Sequence, residues 1–342
     1  MKQNNPFVQV GYEGPEYFCD RVAETKALIR AIVNGSNVTL FSPRRYGKTG
    51  LISNVFHALA KKGEYETIYL DLFGTQNLAD FTSALANAVL GNPSLTFAIS
   101  AKSPQNTLAQ IFDYIKARGH KVVIALDEFQ QIGEYPEKGV EATLRGYVQF
   151  SPARFIFAGS KQRIMREMFT SPKRPFYQST FMMPLGVIEE DAYYKFANGF
   201  FSAKGRRISK EVFHELYTRF DGITWYLQAM LWEFYADDAD ITDIDQLDAV
   251  VSRRVKACEY DQQRVMTILP PGARRLLRAI AAERKVKEPQ SGSFVAKYGL
   301  RAASSVKTSL DMLVEKELVY PTPDGYVVYD RLMAEYLRCL GK

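Results

Sequence analysis

The stretch Val38-Thr-Leu-Phe-Ser-Pro-Arg-Arg-Tyr-Gly-Lys-Thr-Gly50 passes from a β-branched apolar run, through a loop, into the start of a helical pattern. Strand, loop and helix in that order give Gly47-Lys48-Thr49 a chemical meaning that the tripeptide lacks elsewhere. The N–H groups of such a loop, and the positive end of the helix behind it, converge on phosphate oxygens. Lys48 would reach the β and γ phosphates and the Thr49 hydroxyl would bind Mg²⁺, with Pro43, Arg44, Arg45, Tyr46 and Gly50 completing the cradle. Gly47 permits a backbone conformation that a side chain hinders. Against the pattern G-x-x-x-x-G-K-[ST], Ser42 stands in the place of the first glycine. Taken alone, the octapeptide therefore also fits a plainer reading, an exposed turn whose Arg44, Arg45 and Lys48 are solvated.

The acidic partner of such a loop lies farther along. Lys121-Val-Val-Ile-Ala-Leu-Asp127-Glu128 is a buried-strand run ending in two carboxylates. A central parallel strand delivers its C-terminal end to the sheet edge that carries the phosphate loop. Asp127 is expected to hold Mg²⁺ through a water, and Glu128 to orient and deprotonate an attacking water. A carboxylate pair at a strand end is common on its own, but here both motifs fall at strand ends in the order that nucleotide chemistry requires. ATP or ADP with Mg²⁺ is the expected ligand set.

Around these motifs, short apolar runs alternate with helical periods. Strands are predicted at 37–41, 67–72, 121–126, 154–158 and 180–184, and helices at 50–62, 78–90, 104–118, 139–149 and 164–169. This is an α/β succession for a parallel sheet. Beyond Pro184 the strand signals stop, and 189–203, 209–220, 224–236 and 244–261 read as helices. Pro270-Pro271-Gly272 then punctuates the chain, placing a linker at 266–272. Three parts are expected: a nucleotide-binding domain over 1–184, a helical lid subdomain over 185–265 and a further domain over 266–342.

The 342 residues carry a net charge of +6, with 46% hydrophobic and 24% charged residues, the balance of a globular chain. No stretch approaches the roughly 18–20 apolar residues needed to span a bilayer, and the N-terminus has no apolar core of a signal peptide. A cytoplasmic protein with no membrane partner is expected. Three scattered cysteines and three scattered histidines give neither a disulfide framework nor metal-ligand spacing.

These residues resemble the archaeal-type ATPases, a prokaryotic group allied to the AAA+ and STAND NTPases and more distantly to the origin-recognition ATPases. The resemblance rests on Asn5-Pro6-Phe7, on Tyr17-Phe18-Cys19-Asp20-Arg21 with Glu24, on Pro43 through Thr49, on Leu126-Asp127-Glu128-Phe129 and on Phe157-Ala158-Gly159-Ser160. It implies a P-loop sheet of the AAA+ type, a helical lid and a C-terminal winged helix. It further implies that Phe18 and Arg21 lie against the adenine, although Phe-Cys-Asp-Arg is also a good helix start capped by Asp20. Ser160 resembles the sensor that helps to place the lytic water; a simple helix cap after Gly159 fits it equally. Two departures stand out. No arginine finger follows Pro175-Phe-Tyr, where Gln178, Ser179 and Thr180 stand, leaving Arg174 or Arg163, in cis or from a neighbouring subunit, as substitutes. In the lid, Asp221-Gly-Ile-Thr-Trp225 has Thr224 where the family carries a proline.

From Met266 onward, 13 Lys or Arg face 8 Asp or Glu, so +5 of the net charge is C-terminal. Helical spacing over 272–283, 293–298 and 302–316, then two strands at 318–320 and 326–329, resembles a winged helix-turn-helix. Were it to bind DNA, Ser304, Ser305, Lys307 and Thr308 at the head of the third helix would enter the major groove. A regulatory or protein-docking module fits the same residues. Function therefore divides between an ATP-hydrolysing switch or machine and a low-turnover, nucleotide-dependent scaffold; a small-molecule kinase gives the extra domains no role.

Overall fold

A computed structural model describes residues 5–91 and 104–340. By packing, the chain divides into two compact units, Met1–Phe200 with Gly222–Trp232 and Phe201–Asp221 with Glu233–Lys342.

The first unit is built on a parallel sheet in the order β2-β3-β4-β1-β5, with β1 (Val38–Phe41), β2 (Tyr65–Asp71), β3 (Lys121–Asp127), β4 (Arg154–Gly159) and β5 (Phe181–Pro184). Each expected strand is present, its ends shifted by one or two residues at most. Helices α1 (Val22–Val33) and α2 (Lys48–Ala60) cover one face; α3 (Leu78–Leu90), α4 (Pro104–Ala117), α5 (Val140–Phe150) and α6 (Gln162–Thr170) cover the other. Alternation along β3 explains the two layers. Val122, Ile124 and Leu126 pack with the α3–α6 layer, whereas Val123 and Ala125 meet Leu51, Ile52 and Val55 of α2. Burial on both faces is why β3 reads as a continuous apolar run. On the α3–α6 side, Phe129, Phe157, Phe169 and Phe176 form an aromatic cluster, with the first two ring centroids 4.5 Å apart, which fixes the chain just past the end of β3.

Helix α1 does not begin as the sequence suggests. Asp20 and Arg21 both take left-handed backbone conformations (φ 50° and 58°), Arg21 holds the N-cap position, and no side chain caps the helix. A residue in that conformation turns the chain sharply, which an Asp20 cap would not allow.

Two helices, α7 (Glu190–Ala203) and α9 (Thr224–Ala236), begin in the first unit and end in the second. The second unit contains α8 (Lys210–Arg219), α10 (Ile244–Ala257), α11 (Glu259–Ile268), α12 (Pro271–Glu283), α13 (Gly292–Lys297), α14 (Ala303–Glu315), the antiparallel pair β6 (Val319–Thr322) and β7 (Gly325–Val328), and α15 (Arg331–Cys339). The single helix expected over 244–261 is broken at Cys258, whose N–H closes a tighter turn on Val255 O. The expected linker over 266–272 is mostly helical: Met266 lies in α11 and Pro271 opens α12. Proline at the first helical position forfeits no hydrogen bond, so Pro270-Pro271 starts a helix instead of marking a linker. Among the described residues no helix is long and apolar enough to cross a membrane.

Candidate functional site

Sheet order brings the motifs together. Strand β4 lies between β1 and β3, so the loop after β1, the carboxylates after β3 and Ser160 after β4 emerge side by side at one edge. Gly47, at φ 89°, caps α2 in a conformation that a side chain would strain. Lys48 is therefore the first helical residue, and its side chain folds back into the loop. Lys48 is only 6% exposed, and its ammonium is held by Ser42 O at 3.1 Å and Pro43 O at 3.2 Å, with Ser42 Oγ at 3.4 Å. Ser42 thus adds a side-chain oxygen where the family pattern has a bare glycine. Burial lowers the Lys48 pKa; Asp127 and Glu128, acting through space, oppose the shift. Among the described residues no carboxylate forms an ion pair with Lys48, and a buried cation coordinated by uncharged oxygens alone is an incomplete charge pair.

Thr49 Oγ1 donates to Asp127 Oδ2 at 3.0 Å. The same oxygen accepts from Tyr69 OH at 2.7 Å, and Oδ1 accepts Glu128 N at 2.9 Å. Tyr69 is a residue that sequence reading missed. Register explains its reach, because Tyr69 pairs with Ala125 and Asp71 with Asp127 on neighbouring parallel strands. Burial, reinforced by the Asp127 charge, pushes the Tyr69 phenol well above the usual tyrosine range, so it stays a donor. Burial likewise lifts the Asp71 carboxyl above its ordinary value, against a hydrogen bond from Phe73 N.

Glu128 lies just beyond β3 in a left-handed conformation, φ 51°. Its Oε2 accepts Ser160 Oγ at 2.6 Å and also Gln130 Nε2. Ser160 therefore does not cap α6, whose N-cap position falls on Lys161; its hydroxyl orients Glu128 from behind the cavity wall. A Cβ at Gly159 would crowd the side chains of Gln130 and Met165, which would have to shift to admit it.

A cavity of about 410 Å³ opens over these groups. Arg44 through Gly50, Asp127 and Glu128 line it, with Phe18, Cys19 and Arg21 on the N-terminal side and Thr224, Trp225 and Gln228 from α9. Gly50 lies against Phe18, whose ring edge would stand 3.3 Å from an added Cβ. Arg21 is buried and bonded to Gly186 O at 2.6 Å, Tyr46 O at 3.3 Å and Glu24 Oε1 at 2.7 Å, so it braces the loop as well as lining the cavity. Neither Arg174 nor Arg163 is on the cavity wall; Arg174 pairs with Glu141 and, at 3.9 Å, with Glu167.

Residues 18–230 match the family model of an ATPase domain predominantly from Archaea. The chain belongs to this family. Residues 260–339 match the model of a probable winged helix domain. No curated protein sequence matches the chain. Among solved structures, a Walker-type ATPase of Pyrococcus abyssi is similar over 97% of this chain and 99% of its own, with a TM-score of 0.69 and 15% identity. The ORC2 protein of Aeropyrum pernix, solved as ADPNP–ADP complexes, is similar over 99% and 96% at TM-score 0.69 and 19% identity. The ORC1 protein of the same organism, solved in complex with DNA, gives TM-score 0.57 at 16% identity over 98% and 96%. At such identities the likeness is one of fold: a P-loop α/β sheet with helical additions and a C-terminal winged helix.

Proposed function

We propose that the cavity binds ATP or ADP with Mg²⁺ and hydrolyses ATP, and that nucleotide state sets the chain's affinity for a partner taken by the winged helix. The observation that carries this is the buried Lys48, its ammonium held by loop carbonyl and hydroxyl oxygens, on the wall of a cavity of nucleotide size. An anion bearing several charges completes that pair, and the N-terminus of α2 adds its dipole. The Thr49 hydroxyl and the Asp127 carboxylate are hard oxygen donors 3.0 Å apart, a set that suits Mg²⁺ with phosphate and water completing the shell. When bound, Mg²⁺ neutralises charge on the phosphate oxygens. Thr49 and Asp127 would hold it there. Glu128, oriented by Ser160 and Gln130, would accept the proton of the attacking water at Oε2. Phe18 and Arg21 would flank the base.

In this reading 1–184 forms the nucleotide-binding domain, 185–265 the lid and 266–342 the winged helix. No arginine at the cavity wall faces the γ-phosphate position from α6, so turnover is slow until a neighbouring subunit or protein partner supplies one. For the winged helix, DNA is the favoured partner: Ser304, Ser305, Lys307 and Thr308 at the head of α14 are all exposed, and so is Arg301. The binding half is tested with a fluorescent ATP analogue. Lys48→Ala, folded by circular dichroism, is expected to lose at least about 100-fold in affinity, since a buried charge-assisted contact is worth about 3 kcal/mol; unchanged affinity would refute the site.

A further inference from the structure

The phosphate loop carries a second cation whose side chain is engaged elsewhere. Arg45 stacks its guanidinium over the Trp225 ring at 4.4 Å and the Tyr226 ring at 5.0 Å, and donates to the Tyr226 hydroxyl. The backbone joins in: Trp225 N donates to Arg45 O at 3.1 Å, and Thr224 Oγ1 to Tyr46 O at 3.5 Å. Tyr193 OH in turn donates to Thr224 O at 3.3 Å. Arg45 itself sits at φ 72°, a left-handed conformation that an arginine rarely adopts unaided. Left-handed residues are what let successive N–H groups of a loop converge on an anion, and strain of this kind persists only where surrounding contacts hold it.

We infer that Arg45 is a positioning residue: stacked on Trp225 and Tyr226 and tied by its carbonyl to the first turn of α9, it holds the phosphate loop in its anion-binding shape, and Trp225 reports whether the loop is filled. This rests on the nucleotide reading above. It assigns to Arg45 a role different from phosphate contact. It also accounts for Thr224 in place of the family's proline, because the hydroxyl that reaches Tyr46 O is one that proline lacks.

The chain has two tryptophans, so Trp232→Phe leaves Trp225 as the single reporter. In that background ADP is expected to change the emission of Trp225, and Arg45→Ala is expected to abolish the change while weakening nucleotide binding about fivefold to tenfold, the size of one cation–π contact with a hydrogen bond. Affinity is followed with a fluorescent ATP analogue. Trp225→Leu is expected to weaken binding to the same extent, Trp225→Phe to restore most of it, and Arg45→Ala with Trp225→Leu to be no weaker than either alone, as expected of two groups acting through one contact. Wild-type affinity in Trp225→Leu beside a loss in Arg45→Ala, or losses that add in the double variant, would overturn the inference and make Arg45 a direct ligand. Undiminished binding in Lys48→Ala would instead overturn the nucleotide reading.

Discussion

Replacing Tyr69 by phenylalanine removes one hydroxyl and leaves the ring in place. That hydroxyl donates to Asp127 Oδ2 at 2.7 Å, the oxygen that also takes Thr49 Oγ1. Were Thr49 to turn toward a bound metal, Tyr69 and the Glu128 N–H would still hold the carboxylate's rotation. A hydrogen bond to a charged acceptor contributes about 1.5–3 kcal/mol, and Tyr69 is 38% exposed, which places it near the lower end, about 1.5 kcal/mol or roughly tenfold. Outer contacts to metal-binding carboxylates cost about 10–100-fold in metal affinity when removed, in agreement. The expected result for Tyr69→Phe is thus a rise of about tenfold in the Mg²⁺ concentration giving half-maximal ATP turnover, with maximal turnover recovered at saturating Mg²⁺. The assay is phosphate release across a Mg²⁺ titration. An unchanged Mg²⁺ midpoint, or a lower maximum at an unchanged midpoint, would refute the reasoning.

Other expectations follow from the same geometry. Ser160→Ala leaves Glu128 with Gln130 as its remaining side-chain donor and is expected to lower turnover about tenfold, at nearly constant nucleotide affinity, in steady-state assays. Because burial lowers the Lys48 pKa below the ordinary 10.5, the free protein loses this proton before an unfolded chain does. Its stability should therefore rise with pH between the lowered value and 10.5, measured as denaturant midpoint against Lys48→Met, whereas ATP affinity should fall over the same window as the ammonium is lost. If α14 reads DNA, Lys307→Ala and Arg301→Ala should each reduce the slope of log affinity against log salt by about 1; a salt-insensitive signal from the full chain would assign the domain to a protein partner.

Much of this was legible because its signals are local. The strands of the sheet are short apolar runs bounded by turns, and the phosphate loop and the Asp127-Glu128 pair sit at their ends. What escaped depends on partners distant in sequence. Tyr69 reaches Asp127 only through the register of β2 on β3, and Arg45 meets Trp225 only once α9 has folded beside the loop. The break at Cys258 escaped because no glycine or proline marks it; every residue nearby tolerates a helix. Helix α15 was not expected either, although its signals are local: Asp330 accepts from Leu332 N and Met333 N, a cap just ahead of an apolar helical period. The Asp20 cap failed for the opposite reason: a favourable local pattern gave way to a chain reversal that buries Arg21.

In the proposed function Glu128 accepts the proton of an attacking water beside a nucleotide held by Lys48, Thr49 and Asp127. Single-turnover hydrolysis of bound ATP by the wild type and by Glu128→Gln tests it most directly, with binding followed in parallel. Retained ATP affinity with hydrolysis slowed by on the order of 10²–10⁴ is the expected result, because the amide keeps the shape and cannot accept the proton. Wild-type hydrolysis in a folded Glu128→Gln protein would contradict it.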